Sequence, residues 1–189
     1  MPRPALISRE QILDATLAVA DEEGLAAVTM RRVAARVGVT AMSLYHHVRD
    51  KDDLLDGLVE RLLAELVLPE PGLSGEERLH GLAISLRQAA ARHPDAFSLL
   101  LRRPVATEAA LAVREVVYAA LRDAGVPDDL VPRTERLIST FVIGFAASEV
   151  GGRFAAHDEA VRDADFEWAW RHLSGRLSAL TPEPAGAQA

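Results

Sequence analysis

Thr29-Met30-Arg31-Arg32-Val33-Ala34-Ala35-Arg36-Val37-Gly38-Val39-Thr40-Ala41-Met42-Ser43-Leu44-Tyr45-His46-His47-Val48 is the stretch that decides the fold. Met30, Val33, Ala34 and Val37 fall at i, i+3, i+4 and i+7, one face of a helix. Thr29 opens that helix and Gly38 ends it. Thr40 caps a second, shorter helix, predicted over about Ala41–His47, with Leu44 and Val48 on its inner side. Two short helices joined by a tight turn containing glycine form a helix-turn-helix. In such a unit the second helix enters the major groove of a duplex and the first crosses the backbone.

Charge points to the same place. The 189-residue chain carries a net charge of -7, which taken whole speaks against a nucleic-acid partner. Its distribution is uneven. Residues 31–51 hold Arg31, Arg32, Arg36, Arg49 and Lys51 against Asp50 alone, a balance of +4. Residues 1–30 stand at -3 and residues 52–189 at -8. A basic island in an acidic chain can be an electrostatic footprint for phosphate. On charge alone a solvated helix face explains it better. Its coincidence with the turn geometry favours phosphate.

Composition excludes several alternatives. Apolar residues make up 49% and charged residues 26%, so most of the chain should fold. There is no cysteine, hence no disulfide, thiolate nucleophile, zinc ribbon or iron–sulfur cluster. The longest near-apolar run, Leu137–Ala147, is 11 residues, and a bilayer span needs about 20. Met1–Ile7 is too short for a signal peptide. A cytoplasmic protein with no membrane partner is expected. No Gly-x-Ser-x-Gly, His-Glu-x-x-His or phosphate loop occurs, so neither catalysis nor a cofactor is expected. His46 and His47 point about 100° apart on a helix and are poor partners for one metal ion.

Working outward, the whole chain reads as helix. Ser8 and Gln11 form a capping box for a helix with an inner stripe of Ile12, Leu13, Thr16, Leu17, Val19 and Ala20, stopped in left-handed geometry by Gly24. A fourth helix should run from Lys51 to about Val67 on Leu55, Leu58, Val59, Leu62 and Leu66. Pro69-Glu70-Pro71-Gly72 breaks the chain. Ser74 and Glu77 form a second capping box, opening a helix to Arg92. A short helix follows from Pro94 to about Leu101, then one from Thr107 to Gly125, then one after Asp129 to about Val150. Residues 155–163 are ambiguous, and a last helix is expected over about Asp165–Leu180. The all-α chain should divide into an N-terminal helix-turn-helix three-helix domain (1–55), a helical effector-binding and dimerisation domain (56–180) and a tail (181–189).

Residues 8 to about 58 resemble the DNA-binding domain of the tetracycline-repressor (TetR) family of transcriptional regulators. The matching text is Arg9-Glu10-Gln11-Ile12-Leu13-Asp14-Ala15, Glu23-Gly24-Leu25, Thr29 to Ala34, Val37-Gly38-Val39, Leu44 to Val48 and Lys51-Asp52-Asp53-Leu54-Leu55. The resemblance implies a homodimeric repressor, released from a double-stranded palindromic operator by a small-molecule effector that shifts the fourth helix; the alternative is a helical ligand-binding or protein-interaction module with a vestigial DNA-binding motif, against which the retained basic island speaks. It also implies that Tyr45, Lys51 and Thr29 contact phosphate. Arg31 suits guanine O6 and N7. Ala41, Met42, Ser43, His46 and His47 occupy the groove-facing positions. Ala41 and Met42 offer only apolar contact there, which shifts readout to Arg31, Ser43 and the histidines. Arg3 is expected to lie in a disordered terminus.

For the remainder, the resemblance implies a ligand pocket and a dimer seam. Phe97, Tyr118, Phe141 and Phe145 are the ligand-binding candidates, although such a stripe is more often plain core. Arg102, Arg103 and Arg114 are candidates for an anionic ligand, exposure being their commoner fate. Glu149 is readable as a pocket or an interface group. Gly144, Ser148, Trp168, Leu173 and Leu177 are the dimer candidates, on a helix pair suited to a four-helix seam.

Overall fold

A computed structural model describes residues 7–70, 72–103 and 107–177; Arg3 and the tail from 181 lie outside them. Every regular element among these residues is helical: α1 (Arg9–Glu23), α2 (Met30–Val37), α3 (Ala41–Leu44), α4 (Lys51–Ala64), α5 (Gly75–Arg92), α6 (Pro94–Phe97), α7 (Glu108–Asp123), α8 (Val131–Val150) and α9 (Glu159–Ser174). Short 3₁₀ turns at Leu25–Ala27 and Ser98–Leu101 complete the set. No helix among the described residues is long and apolar enough to cross a membrane.

The chain forms two compact units, each built from two segments. The first comprises residues to Glu65 with Ala89–Ala110; the second comprises Leu66–Gln88 with the chain from Leu111 onward. In the first unit α1 buries Ile12, Leu13, Thr16, Leu17, Val19 and Ala20, the expected stripe. The one polar member, Thr16, donates its hydroxyl to the Ile12 carbonyl at 2.7 Å and so carries no unmet hydrogen bond inward. Leu13 lies over Gly57 of α4, where a Cβ would stand 2.1 Å from Leu13 Cδ2, so any larger residue would have to displace the Leu13 side chain. Leu54, Leu58 and Leu62, four residues apart, are the most deeply buried leucines of α4. Each such burial contributes about 1.5–3 kcal/mol. Ala96, Phe97 and Leu99 close the same core from the second segment, packed on α1 and α4.

In the second unit, Leu79, Leu121, Val131, Ile138, Val142, Phe166, Trp170 and Leu177 form one core. Phe166 is its hub. It stacks with Phe141 at 5.8 Å between ring centroids, meets Phe145 edge-on at 5.2 Å and lies 6.3 Å from Trp170.

Both capping boxes form. Ser8 Oγ accepts from Gln11 N–H at 3.2 Å, and Ser74 and Glu77 bond reciprocally. Several expectations need correction. Gly24 takes φ +83, ψ 162, an extended left-side conformation and not the left-handed helical one. α3 stops at Leu44, because His47 and Val48 both donate to the Leu44 carbonyl and wrap the chain into a turn. α4 turns Leu54 fully inward and leaves Leu55 half-buried, and it ends at Ala64. α9 begins about two turns early, at Glu159, because Asp158 caps it by accepting from Val161 N–H at 2.9 Å; it ends at Ser174.

Candidate nucleic-acid interface

Four local devices build the helix-turn-helix. Thr29 caps α2, its hydroxyl accepting from Arg32 N–H at 3.1 Å. Gly38 ends α2 in the left-handed region at φ +80, ψ 28, which turns the chain toward α3. Thr40 caps α3, accepting from Ser43 N–H at 3.3 Å. Asp50 caps α4, accepting from Asp53 N–H at 2.9 Å, while Asp53 accepts from Arg49 N–H at 2.8 Å.

Arg9 of α1 fastens the end of this unit. Its guanidinium reaches the His47 carbonyl at 3.4 Å, Asp53 at 3.1 Å and Glu60 at 3.5 Å. The turn after α3 and the first turn of α4 are therefore held by one side chain. Burial alone would raise the Asp53 pKa; the Arg49 amide and the Arg9 guanidinium outweigh it and hold the carboxyl below the ordinary value.

The basic island is narrower than its formal charge. Arg32 donates to Glu23 at 2.6 and 2.9 Å, and Arg36 to Glu22 at 2.5 Å. These hydrogen bonds hold both glutamates below the usual carboxylate range. Two of the arginines thus clamp α2 to the end of α1. Arg49 lies 3.5 Å from Asp53 and keeps an exposed side chain. Arg31 and Lys51 make no ion pair among the described residues.

The candidate contacts fall into two groups. Thr29, Arg31, Met42, Tyr45, His46 and Lys51 are exposed, Met42 at 73% and Tyr45 at 52%. Ala41, Ser43 and His47 are half-buried, and the Ser43 hydroxyl lies 3.0 Å from that of Thr40. Met42 and Tyr45 present an apolar and a phenolic side chain to solvent on this unit. Among the described residues no three His, Asp or Glu side chains gather as a metal site would need.

The other candidates are placed as follows. Phe97 is fully buried in the first unit, while Tyr118, Phe141 and Phe145 are half-buried against the core of the second, so the four do not share one unit. Leu177 is 2% exposed and packs in its own unit's core, so as it stands it offers a second copy no surface. Leu173 is half-buried on the same stripe as Phe166 and Trp170, whereas Trp168 is 59% exposed on the opposite side of α9. Gly144 and Ser148 are half-buried, and a Cβ on Gly144 would meet nothing within 4 Å. Glu149 is the partner of Arg87, accepting two hydrogen bonds at 2.6 and 2.9 Å. Arg103 is bound to Asp52 and Asp56 and is not free for an anionic ligand.

Sequence reasoning gave no role to the Arg9 and Asp53 side chains, and it read Arg103 as a candidate for an anionic ligand where the structure pairs it with Asp52 and Asp56. The Asp50-x-x-Asp53 spacing could have revealed Asp53 as part of a cap. The partners of Arg9 and Arg103 lie about 40 to 50 residues away, and no local signal marks them.

Comparison with known proteins agrees with this geometry. The family profile described as "Bacterial regulatory proteins, tetR family" matches residues 12–58, and that described as "Tetracyclin repressor-like, C-terminal domain" matches residues 68–177. An HTH-type transcriptional regulator of Saccharopolyspora erythraea is 36% identical over 145 residues, covering 76% of this chain and 61% of the relative. The HTH-type transcriptional repressor DrrR1 of Streptomyces coeruleorubidus is 31% identical over 172 residues, covering 90% and 62%. The chain thus spans about three fifths of the length of these relatives. Among solved structures, ActR of Streptomyces coelicolor in complex with actinorhodin superposes with a TM-score of 0.82 at 26% identity, covering 96% of this chain and all of that one. BioQ with its double-stranded DNA operator gives a TM-score of 0.76 at 26% identity, covering 92% and 99%. The two profile matches and the shared helical architecture have one meaning: the chain belongs to the TetR family of bacterial regulatory proteins.

Proposed function

We propose that this protein is a non-catalytic, cytoplasmic transcriptional repressor that binds a palindromic DNA operator as a homodimer and leaves it when a small-molecule effector binds. The observation that carries this reading is the division of labour on the helix-turn-helix. Arg32 and Arg36, although exposed, are paired with glutamates of α1, while among the described residues Arg31 and Lys51 make no ion pair and stand exposed with Tyr45. Lys51 and the free N–H groups at the start of α4 suit phosphate, and the fork of Arg31 suits guanine. BioQ on its operator, the repressor DrrR1 and ActR with actinorhodin support the DNA, repression and effector elements respectively.

For the dimer, exposed Leu137 and Trp168 and the open notch at Gly144 favour a seam on α8 and α9. A two-fold dimer would read half-sites about 34–36 Å apart, or a multiple of that. Half-buried Tyr118, Phe141 and Phe145 favour an aromatic or otherwise apolar effector. Such a molecule acts only by binding the DNA-competent and released conformations with different affinity.

The test is an electrophoretic shift with the intergenic DNA flanking the gene, titrated in salt. Lys51→Ala and Tyr45→Phe should weaken binding to all sequences, and Arg31→Ala should also relax preference at particular bases. No shift at low salt would refute the DNA reading. Unchanged affinity and preference in Arg31→Ala would refute the assignment of readout.

A further inference from the structure

We propose that Arg103, which lies outside the helix-turn-helix and within the stretch matched to the C-terminal family profile, is a positioning residue for DNA binding. It neutralises and fixes the first turns of α4 beside Lys51. The proposal rests on the reading that Lys51 and the start of α4 meet phosphate.

The start of α4 contains a conflict. Asp50, Asp52, Asp53 and Asp56 stand within seven residues around Lys51. Carboxylates there favour the helix, because they cap its free N–H groups and complement its dipole. The same carboxylates repel a phosphate arriving at that helix end. Two of them are already engaged. Asp50 caps the helix, and Asp53 is held by Arg9 and by the Arg49 amide.

Arg103 takes the other two. One terminal nitrogen donates to Asp56 Oδ1 at 2.5 Å and to the Asp52 carbonyl at 3.1 Å; the other donates to Asp52 Oδ1 at 2.6 Å. Its side chain is 19% exposed, against 79% for Asp52 and 40% for Asp56. The guanidinium is therefore the inner member of the cluster, and the carboxylates are the outer ones. Arg103 belongs to the same compact unit as α4. Its contact with the Asp52 backbone pins the turn that carries Lys51. Without it, the Asp52 and Asp56 carboxylates stand uncompensated one and five residues from that lysine, and charges so near one another are only partly screened by physiological salt.

The experiment uses the full chain and a fluorescein-labelled 40-bp duplex of mixed sequence, since the effect is independent of sequence. Affinity is followed by anisotropy across a salt series. Arg103→Ala should bind roughly three- to tenfold more weakly, the scale of two partly exposed ion pairs. The slope of log affinity against log salt should equal that of the parent, because no phosphate contact is lost. Lys51→Ala should instead reduce that slope by about one. Adding Asp52→Asn and Asp56→Asn to Arg103→Ala should restore affinity to within about twofold. A purely structural role would not allow that rescue.

Three results would overturn the proposal: unchanged affinity in Arg103→Ala, a slope reduced as in Lys51→Ala, which would make Arg103 a phosphate contact, or failure of the asparagine pair to rescue. If the parent chain binds no duplex even at low salt, the DNA reading itself falls and takes the proposal with it.

Discussion

Replacing Arg87 with methionine should destabilise the protein more than replacing Arg87 and Glu149 together. Arg87 of α5 donates to Glu149 of α8 at 2.6 and 2.9 Å and to Asp163 of α9 at 2.9 Å. Its guanidinium also lies 4.3 Å from the centroid of the buried Phe166 ring. One side chain thus joins three helices. The Arg87 and Glu149 side chains are 12% and 14% exposed, while Asp163 is 56% exposed. Removing one partner of a fully buried pair costs about 3–5 kcal/mol, because a charge stays buried without its counterion. Arg162, 3.9 Å from the same Glu149 carboxylate, and partial solvent access reduce that here to about 2–3 kcal/mol. For a chain of this size the loss corresponds to a fall in Tm of roughly 5–10 °C.

The double variant Arg87→Met/Glu149→Leu leaves no orphan carboxylate at that position. It should recover at least about 1 kcal/mol relative to Arg87→Met. Urea unfolding of the parent, both single variants and the double variant closes the cycle, with an expected coupling of about 1.5–3 kcal/mol. A coupling below about 0.5 kcal/mol, or a double variant weaker than Arg87→Met, would refute the reasoning. The network would then be a solvated surface cluster.

Three further outcomes are expected. Gly38→Ala should cost about 1–2 kcal/mol from backbone strain alone, since φ is +80 and a Cβ would meet nothing within 4 Å; a loss above 3 kcal/mol in thermal unfolding would mean an unseen clash. Phe97→Ala should cost about 3–5 kcal/mol in denaturant unfolding because the ring is fully buried; full stability with altered effector affinity would instead make it a ligand contact. The Asp53 carboxyl titrates below its unfolded value of about 4, so its stabilisation is complete above that value and is lost as pH falls through the lowered one. Asp53→Asn should therefore be less stable at neutral pH and flatter in acid unfolding, and a parallel pH profile for the two proteins would contradict this.

Much of the first unit was legible because its signals are local. The Ser8–Gln11 box, the α1 stripe, Thr29, Gly38 and Thr40 each act within four residues, and the structure places each as an element end or an inward face. Leu54 and Leu55 show the limit of periodicity. Both fit a helical spacing, and tertiary packing decides which turns fully inward. Asp158 was readable as a cap but opens a stretch where only Ala160, Val161 and Ala164 are apolar before Phe166, so α9 appeared to start late. The clamps made by Arg9, Arg32, Arg36, Arg87 and Arg103 were not legible. An arginine's partner is set by tertiary geometry, and nothing in its neighbours announces it. Formal charge counted all the arginines of residues 31–51 as footprint, whereas two of them serve α1.

The return of Ala89–Ala110 to the N-terminal unit bears on how such chains can be recombined. Phe97 and Leu99 are buried on α1 and α4, and Arg103 holds α4 from the same segment. A gene crossover near residue 65 would transfer the helix-turn-helix without the wedge that completes its core. A working chimera between relatives must exchange two separate stretches together, to Glu65 and Ala89–Ala110. The N-terminal unit is thus not a portable cassette. Its inheritance is tied to a piece of chain lying inside the adjoining region; on the proposed reading, point changes at exposed positions such as Arg31 and Met42 would alter operator preference without disturbing that shared core.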